Sequence, residues 1–304
     1  MDDEIKAKIK LKCLFKGYLI LGALPNTIRI PVDGCFKGLE DLEMKALLNV
    51  VVVLCVIGFS NSVFGTVVGL QTGTSTWSQD PMGQWGTPWS PENCLNGSWE
   101  AWSTQQYPNP AMNQVAAWET QSDFGYTEGT ILTITLTHTD GGGYGLGDSL
   151  LGRFKISVTT DSRDTFCDGV YDNGDVDSEP AGWTELSFTS WSITGSDAPM
   201  EFIDLGDNSL LVDVSKGISS AGNYETVYVV TAQTNLVGIT GIRLDALAHE
   251  SLPGGGPGTQ GADKSFPGAI WLSQITVDAS PVPEPGTVAL LGIGLMFVKR
   301  QRKL

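Results

Sequence analysis

Short runs in which apolar and polar residues alternate recur along this chain, and they constrain its fold more than any other feature. In Thr130–Thr139, leucines and isoleucines alternate with threonines. Because side chains of a strand point alternately to its two faces, this period of two predicts half-buried strands. No helical stripe of useful length occurs between residues 66 and 280, so we expect an all-β fold, a β-sandwich. Further strands are expected at Arg153–Thr160, Glu201–Leu205, Ser209–Val214, Tyr224–Ala232, Ile239–Ala246 and Ala269–Val277.

The composition along the chain suggests a division into units. We expect a β-rich, tryptophan-containing unit at 66–160, an acidic linker loop at 161–181 and a β-sandwich module at 182–279. Whether the first unit closes a sandwich alone stays open at this point. The flanking segments are expected to be a mis-called start or extension (1–43), a signal peptide (44–65) and a sorting signal (280–304).

The net charge excludes one class of partner. Residues 66–285 contain 6 Lys and Arg against 27 Asp and Glu, a net charge of −21. Such a surface repels nucleic acid and anionic lipid, since phosphate binding requires clustered cations. It favours solubility, divalent cations and neutral ligands.

Three elements follow one another near the C-terminus. The sequence Pro283-Glu284-Pro285 precedes a short apolar run, Thr287–Val298. A basic cluster follows, made of Lys299, Arg300, Arg302 and Lys303. The basic cluster favours the cytoplasmic side, and prolines keep the first element extended. The run is expected to form a short transmembrane helix, although its roughly 12 to 14 apolar residues fall short of the about 20 of a full span.

This order resembles a PEP-CTERM sorting signal, the tag that an exosortase recognises on exported bacterial proteins. The resemblance implies an exosortase as a processing partner, transient membrane anchoring, and a final location at the cell surface or in an extracellular matrix. An ordinary C-terminal anchor is the alternative.

Export of this kind requires a signal peptide, and the pattern for one begins at Met44. A basic residue, Lys45, precedes an apolar segment, Ala46–Phe59, which we expect to be helical. Small residues follow at Ser60, Ser62 and Gly65, where a signal peptidase could cut. We therefore expect translation to start at Met44; a permanent anchor is the alternative.

A second resemblance covers most of the exported part. The segments Leu151–Thr160, Ile239–Leu247 and Ser251–Gly258 look like signature strands and loops of carbohydrate-binding-like sandwich modules. The resemblance implies a galactose-binding-like jelly roll and, as a function, recognition of extracellular polysaccharide.

Tryptophans are the candidate sugar contacts. Trp77, Trp85 and Trp89 lie among Gly, Pro and Ser, which favours loops, and exposed indoles stack on sugar rings. Tryptophan is also a common core residue, so a structural role is the alternative. Trp183, Trp191 and Trp271 begin or occupy expected strands and are interpreted mainly as core.

Calcium is the candidate metal, in the acidic loop. Oxygen ligands crowd one stretch there, and calcium prefers such ligands, although the spacing fits no EF-hand. The residues concerned are Asp168, Asp172, Asn173, Asp175 and Asp177. A solvated acidic linker explains the same residues. With two histidines in the chain, a zinc site is not expected.

Cysteine usage suggests one disulfide. Cys94 and Cys167 are the pair in the exported part, and an even number in an oxidising compartment favours pairing. Two free buried thiols are the alternative.

No catalytic residues are predicted. Gly147-Asp148-Ser149-Leu150 spells the block of the GDSL esterases, but neither His138 nor His249 has the Asp three residues before it that would orient a base. We expect a non-catalytic, exported, carbohydrate-binding protein. The alternatives are a purely structural matrix or biofilm protein and, less favoured, a secreted hydrolase.

Overall fold

The computed structural model describes most of residues 65–283. Nearer the N-terminus it gives two strands, β1 (Tyr18–Leu21) and β2 (Ile28–Pro31), which pair antiparallel in a unit of their own. The described residues of the main unit are 65–79, 89–97, 100–105, 112–139, 148–169, 182–195, 199–217, 225–261 and 265–283. The expected signal helix and the expected C-terminal transmembrane helix lie outside these residues. Within the described ranges, no helix is long and apolar enough to cross a membrane.

Strands dominate the main unit. They are β3 (Thr66–Val68), β4 (Leu70–Ser75), β5 (Trp102–Ser103), β6 (Gln114–Phe124), β7 (Thr130–His138), β8 (Arg153–Thr159), β9 (Thr184–Glu185), β10 (Phe188–Thr194), β11 (Phe202–Asp204), β12 (Leu210–Val212), β13 (Thr226–Thr234), β14 (Ile239–Ala246), β15 (Trp271–Leu272) and β16 (Gln274–Pro281). Short 3₁₀ turns occur at Pro91–Leu95, Arg163–Thr165, Val214–Lys216 and Pro253–Gly255.

These strands form two main antiparallel sheets. A five-stranded sheet has the order β10-β13-β7-β16-β3. A seven-stranded sheet has the order β11-β12-β8-β14-β6-β4, with β9 paired to the side of β8. β5 and β15 form a separate short pair. The prediction of an all-β fold is confirmed.

The two sheets share one apolar core. In β7, the residues Leu132, Ile134 and Leu136 are fully buried, as the alternation predicted. They belong to the same cluster as buried residues of the seven-stranded sheet, such as Phe154 and Leu244. Because one apolar cluster draws on both sheets, the sheets pack face to face as a sandwich.

The division into units at 161–181 is not observed. β14 pairs with β8 on one side and with β6 on the other, so strands from 66–160 and 182–279 alternate within one sheet. Residues 63–284 form a single compact unit. Neither half could complete its sheets without the other.

Candidate functional site

A groove of about 370 Å³ lies on the outer face of the seven-stranded sheet. β8 and β14 are neighbours there, with Ser157 opposite Arg243 and Lys155 opposite Asp245. The residues that alternate with them along each strand, such as Ile156, are apolar and face the core. The residues that line the groove are Asn113, Arg153, Lys155, Ser157, Trp183, Glu185, Arg243, Asp245 and Leu247. Its volume is within the range of small-molecule sites, about 300–1,000 Å³.

The groove concentrates the few cations of this acidic protein. Arg153, Lys155 and Arg243 are three of the six Lys and Arg residues in 66–285, and all three line it. Each is matched by a carboxylate, so the groove offers donors and acceptors side by side. A ligand there meets both signs of charge, in contrast to the acidic surface elsewhere.

The best-defined pair joins Arg243 to Asp245. The Nε of Arg243 lies 3.1 Å from both carboxylate oxygens, and its Nη2 lies 2.6 Å from Oδ1. The two side chains are 19% and 13% exposed. Both residues of this ion pair also line the groove.

Two more pairs form the rim. Lys155 Nζ lies 3.1 Å from Glu185, and Arg153 Nη2 lies 2.7 Å from Asp207. The pKa of Glu185 is lowered, first by a hydrogen bond from the Asn208 amide and then by one from Lys155. Both carboxylates are nearly half exposed, so solvent screens these pairs, and they orient side chains more than they stabilise the fold.

Trp183 forms one wall of the groove. The Arg243 guanidinium lies 5.9 Å from the centroid of its ring, within reach of a cation–π interaction. On another side, the Phe166 ring meets it edge-on at 5.2 Å. The indole Nε1 is buried without a hydrogen-bond partner. The sequence pattern indicates a core position for Trp183, yet the residue is half-buried and lines the groove.

Phe166 reaches this position because β14 carries a glycine beneath it. A Cβ on Gly241 would lie 2.4 Å from Cζ of Phe166, closer than real Cβ atoms come. Phe166 is fully buried, in a small cluster with Val115, Ala117 and Cys167. The absent side chain at Gly241 therefore makes the space that holds Phe166 against Trp183.

The tryptophans predicted as sugar contacts lie elsewhere in the fold. Trp89 is half-buried, with its ring 4.7 Å from the buried Trp271. Trp77 is also half-buried, and its carbonyl accepts a bond from Trp102 Nε1 at 2.9 Å. Neither lines the groove, and Trp85 lies outside the described residues. Trp191, interpreted as core, is 37% exposed on β10, whereas Trp271 is 2% exposed and is core as expected.

The predicted disulfide is wrong. Cys94 and Cys167 are both free and buried. The Sγ of Cys94 donates to the Leu272 carbonyl in the main core, and Cys167 packs with Val115 and Ala117 in the smaller cluster. Since Ala116 and Trp118 of the same strand face the main core, β6 separates the two thiols. Burial raises the pKa of each thiol to about 12.

The predicted calcium loop is described in part. Asp168 accepts a hydrogen bond from the Thr74 hydroxyl at 2.8 Å. Asp172, Asn173, Asp175 and Asp177 lie outside the described residues, so calcium in this loop stays a prediction. Across the described ranges, no three His, Cys, Asp or Glu side chains group as they would around a metal ion.

The serine of the GDSL-like block is buried near a histidine that bonds to the backbone. Ser149 is fully buried, and its Oγ has no hydrogen-bond partner. His138 is held in the core, where its Nε2 accepts from the Leu151 amide at 3.2 Å and its Nδ1 donates to the Thr226 carbonyl at 3.4 Å. Burial lowers the pKa of His138 to about 3. Both ring nitrogens are therefore hydrogen-bonded to backbone groups.

Comparison with known proteins identifies the C-terminal segment. Residues 281–303 match the PEP-CTERM protein-sorting motif. The motif is the signature of exported proteins that an exosortase processes and sorts to the cell surface, and this chain carries it. No curated protein matches the chain.

Proposed function

We propose that the sandwich is a non-catalytic, galactose-binding-like jelly roll that recognises extracellular carbohydrate in the groove over β8 and β14. The observation that carries the proposal is Trp183, an aromatic wall of the groove beside closely paired charges. Sugar rings present C–H faces for an indole and hydroxyls for polar groups. After transient anchoring and exosortase processing, the protein would bind polysaccharide at the cell surface or in the matrix.

The paired charges suit hydroxyl-rich ligands. A sugar hydroxyl both donates and accepts, so one hydroxyl can accept from the Arg243 guanidinium and donate to the Asp245 carboxylate. Hydrogen bonds to charged groups contribute about 1.5–3 kcal/mol, more than those to neutral groups. The pairs already hold these side chains in place, which lowers the entropy that binding would cost.

The test is binding of the purified full-length protein to a panel of bacterial and plant polysaccharides. Trp183→Ala should abolish saturable binding. Trp183→Phe keeps a smaller aromatic ring for stacking, so it should weaken binding less than Trp183→Ala does. Trp191→Ala, which removes an exposed indole from another sheet, is the matched control and should bind as the wild type does.

Two results would count against the proposal. Binding that survives Trp183→Ala but is lost in Trp77→Ala or Trp89→Ala would move the site to the tryptophans first predicted. The absence of binding to any polysaccharide would favour a purely structural matrix protein. Circular dichroism of each variant shows whether the sandwich has remained folded.

A further inference from the structure

Buried polar atoms without partners gather where Asp148–Leu151 runs beside Gly258–Gly261. The oxygens concerned are Asp148 Oδ1, Ser149 Oγ and Gln260 Oε1. Their residues are 8%, 0% and 4% exposed, respectively. Buried polar groups are nearly always hydrogen-bonded, so three oxygens without hydrogen bonds on two neighbouring segments require an explanation.

The pairing of the two segments brings these oxygens together. Leu151 forms an antiparallel bridge with Gly258. The Thr259 amide donates to the Leu150 carbonyl, and the Leu150 amide donates to the Thr259 hydroxyl, both at 3.0 Å. Ser149 and Gln260 are the next positions along the two segments, where their carbonyls accept from the Trp271 and Gly268 amides and not from each other. Opposite positions of neighbouring antiparallel segments lie about 5 Å apart. The Asp148 carboxylate lies against the same segment, with its Oδ2 3.4 Å from the Gly261 nitrogen.

Asp148 poses the sharpest energetic problem. Its carboxylate is buried, and the salt bridges of the described residues include none to it. Its one side-chain hydrogen bond, to Gly261, is long. A buried charge without a counter-ion costs several kcal/mol, and proteins resolve this by pairing the charge or by coordinating a metal.

We propose that Asp148, Ser149 and Gln260 bind a calcium ion. A carboxylate, an amide carbonyl and a hydroxyl are hard oxygen ligands, and calcium accepts about 6–8 of them in flexible geometry. Water would have to supply the remaining ligands, because the carbonyls of Asp148, Ser149 and Gln260 already accept hydrogen bonds. The site is separate from the acidic loop, and its calcium would join two segments that otherwise meet through a few backbone hydrogen bonds.

The site includes a natural optical reporter. The Trp271 amide donates to the Ser149 carbonyl at 2.6 Å, and the Trp271 ring is buried. Terbium, which has nearly the size of calcium, emits when a nearby indole is excited. Terbium bound at Asp148 should therefore emit upon tryptophan excitation, and added calcium should quench the emission by displacement.

The decisive experiment compares full-length wild-type protein with Asp148→Asn, with and without calcium, after removal of metal by EDTA. For the wild type, calcium at about 100 times its dissociation constant should raise Tm by about 5–10 °C. Asp148→Asn should lose this rise and the terbium emission. In EDTA, the same variant should melt no lower than the wild type, because it removes an uncompensated buried charge.

Further variants test which residues bind the calcium ion. Asp204→Asn, which removes an exposed carboxylate, and Asp175→Asn, in the acidic loop, should both retain the calcium-dependent rise. Ser149→Ala, which keeps the charge, should raise the calcium concentration at half-saturation about tenfold. A wild-type Tm that does not respond to calcium would overturn the proposal, as would a rise that Asp175→Asn abolishes and Asp148→Asn retains.

Discussion

Gly241 offers a sharp test of how the groove is supported. Its place on β14 lies under the Phe166 ring, and an added Cβ would lie 2.4 Å from Cζ and 2.6 Å from Cε2 of that ring. Carbon atoms prefer separations of about 3.5–4.0 Å, so Gly241→Ala would push the ring back by about 1 Å. Phe166 is fully buried, with Trp183 at 5.2 Å, so it has little room to retreat. Overpacking of this kind costs about 1–3 kcal/mol.

When a smaller side chain replaces Phe166, Gly241→Ala should stabilise the protein instead of destabilising it. Phe166→Leu removes the two ring atoms closest to the new Cβ, and Thr159 Cγ2, 3.1 Å from it, then has to move by only a few tenths of an ångström. Gly241 does not have a positive φ, so alanine suits its backbone. In that background, Gly241→Ala should stabilise the protein by about 0.4–1 kcal/mol through the lower entropy of the unfolded chain. The two substitutions should therefore be coupled by about 2 kcal/mol.

Urea unfolding, followed by tryptophan fluorescence, measures all four proteins. A shift in the midpoint at constant slope reports the change in the free energy of unfolding. The reasoning fails if Gly241→Ala has the same effect in both backgrounds, because its cost would then not come from the Phe166 ring. The single variant should also bind carbohydrate less tightly, since the displaced ring borders Trp183.

Two further predictions concern buried groups of the core. Because burial lowers the pKa of His138 to about 3, below about 6.5 in the unfolded chain, its contribution to stability is present above pH 6.5 and is lost as the pH falls towards 3. This group should lower the free energy of unfolding by up to about 1.4 kcal/mol for each pH unit. His138→Asn should therefore make stability depend less on pH in this range. A variant whose stability falls with pH as steeply as that of the wild type would show that His138 is not responsible. Cys94 and Cys167, with pKa values raised to about 12, should resist alkylation at pH 8 in the folded protein and react after unfolding, and a reductant should leave Tm unchanged. A Tm that falls upon reduction would instead indicate a disulfide.

The alternation of apolar and polar residues predicted the strands that bury one face and expose the other. β14 spans Ile239–Ala246, as expected, and β7 ends one residue before its predicted end. β6, the longest strand, was missed. Its residues Val115–Trp118 are apolar without alternation, because one face packs in the main core and the other in the cluster of Phe166 and Cys167. A strand buried on both faces does not show a period of two.

The groove depends on strand order, which a local pattern does not show. Arg243 and Asp245 could be placed on one face of a strand from the sequence. That this face lies beside Lys155 and Trp183 follows from the pairing of β14 with β8 and of β8 with β9. The disulfide prediction failed for a related reason, since a count of cysteines does not show that β6 separates Cys94 from Cys167.

The junction between the sandwich and the sorting signal explains how processing can leave the fold intact. β16 pairs with β7 as far as Pro281, opposite Thr130, and the Val282 amide donates to the Gly129 carbonyl at 3.0 Å. Pro283 is exposed, and as a proline it has no N–H to continue the ladder. The Pro-Glu-Pro element thus begins one residue after this last backbone hydrogen bond of the described chain. A peptidase that cuts beyond Pro283 would remove none of the described strand pairing, so processing can leave the sandwich intact.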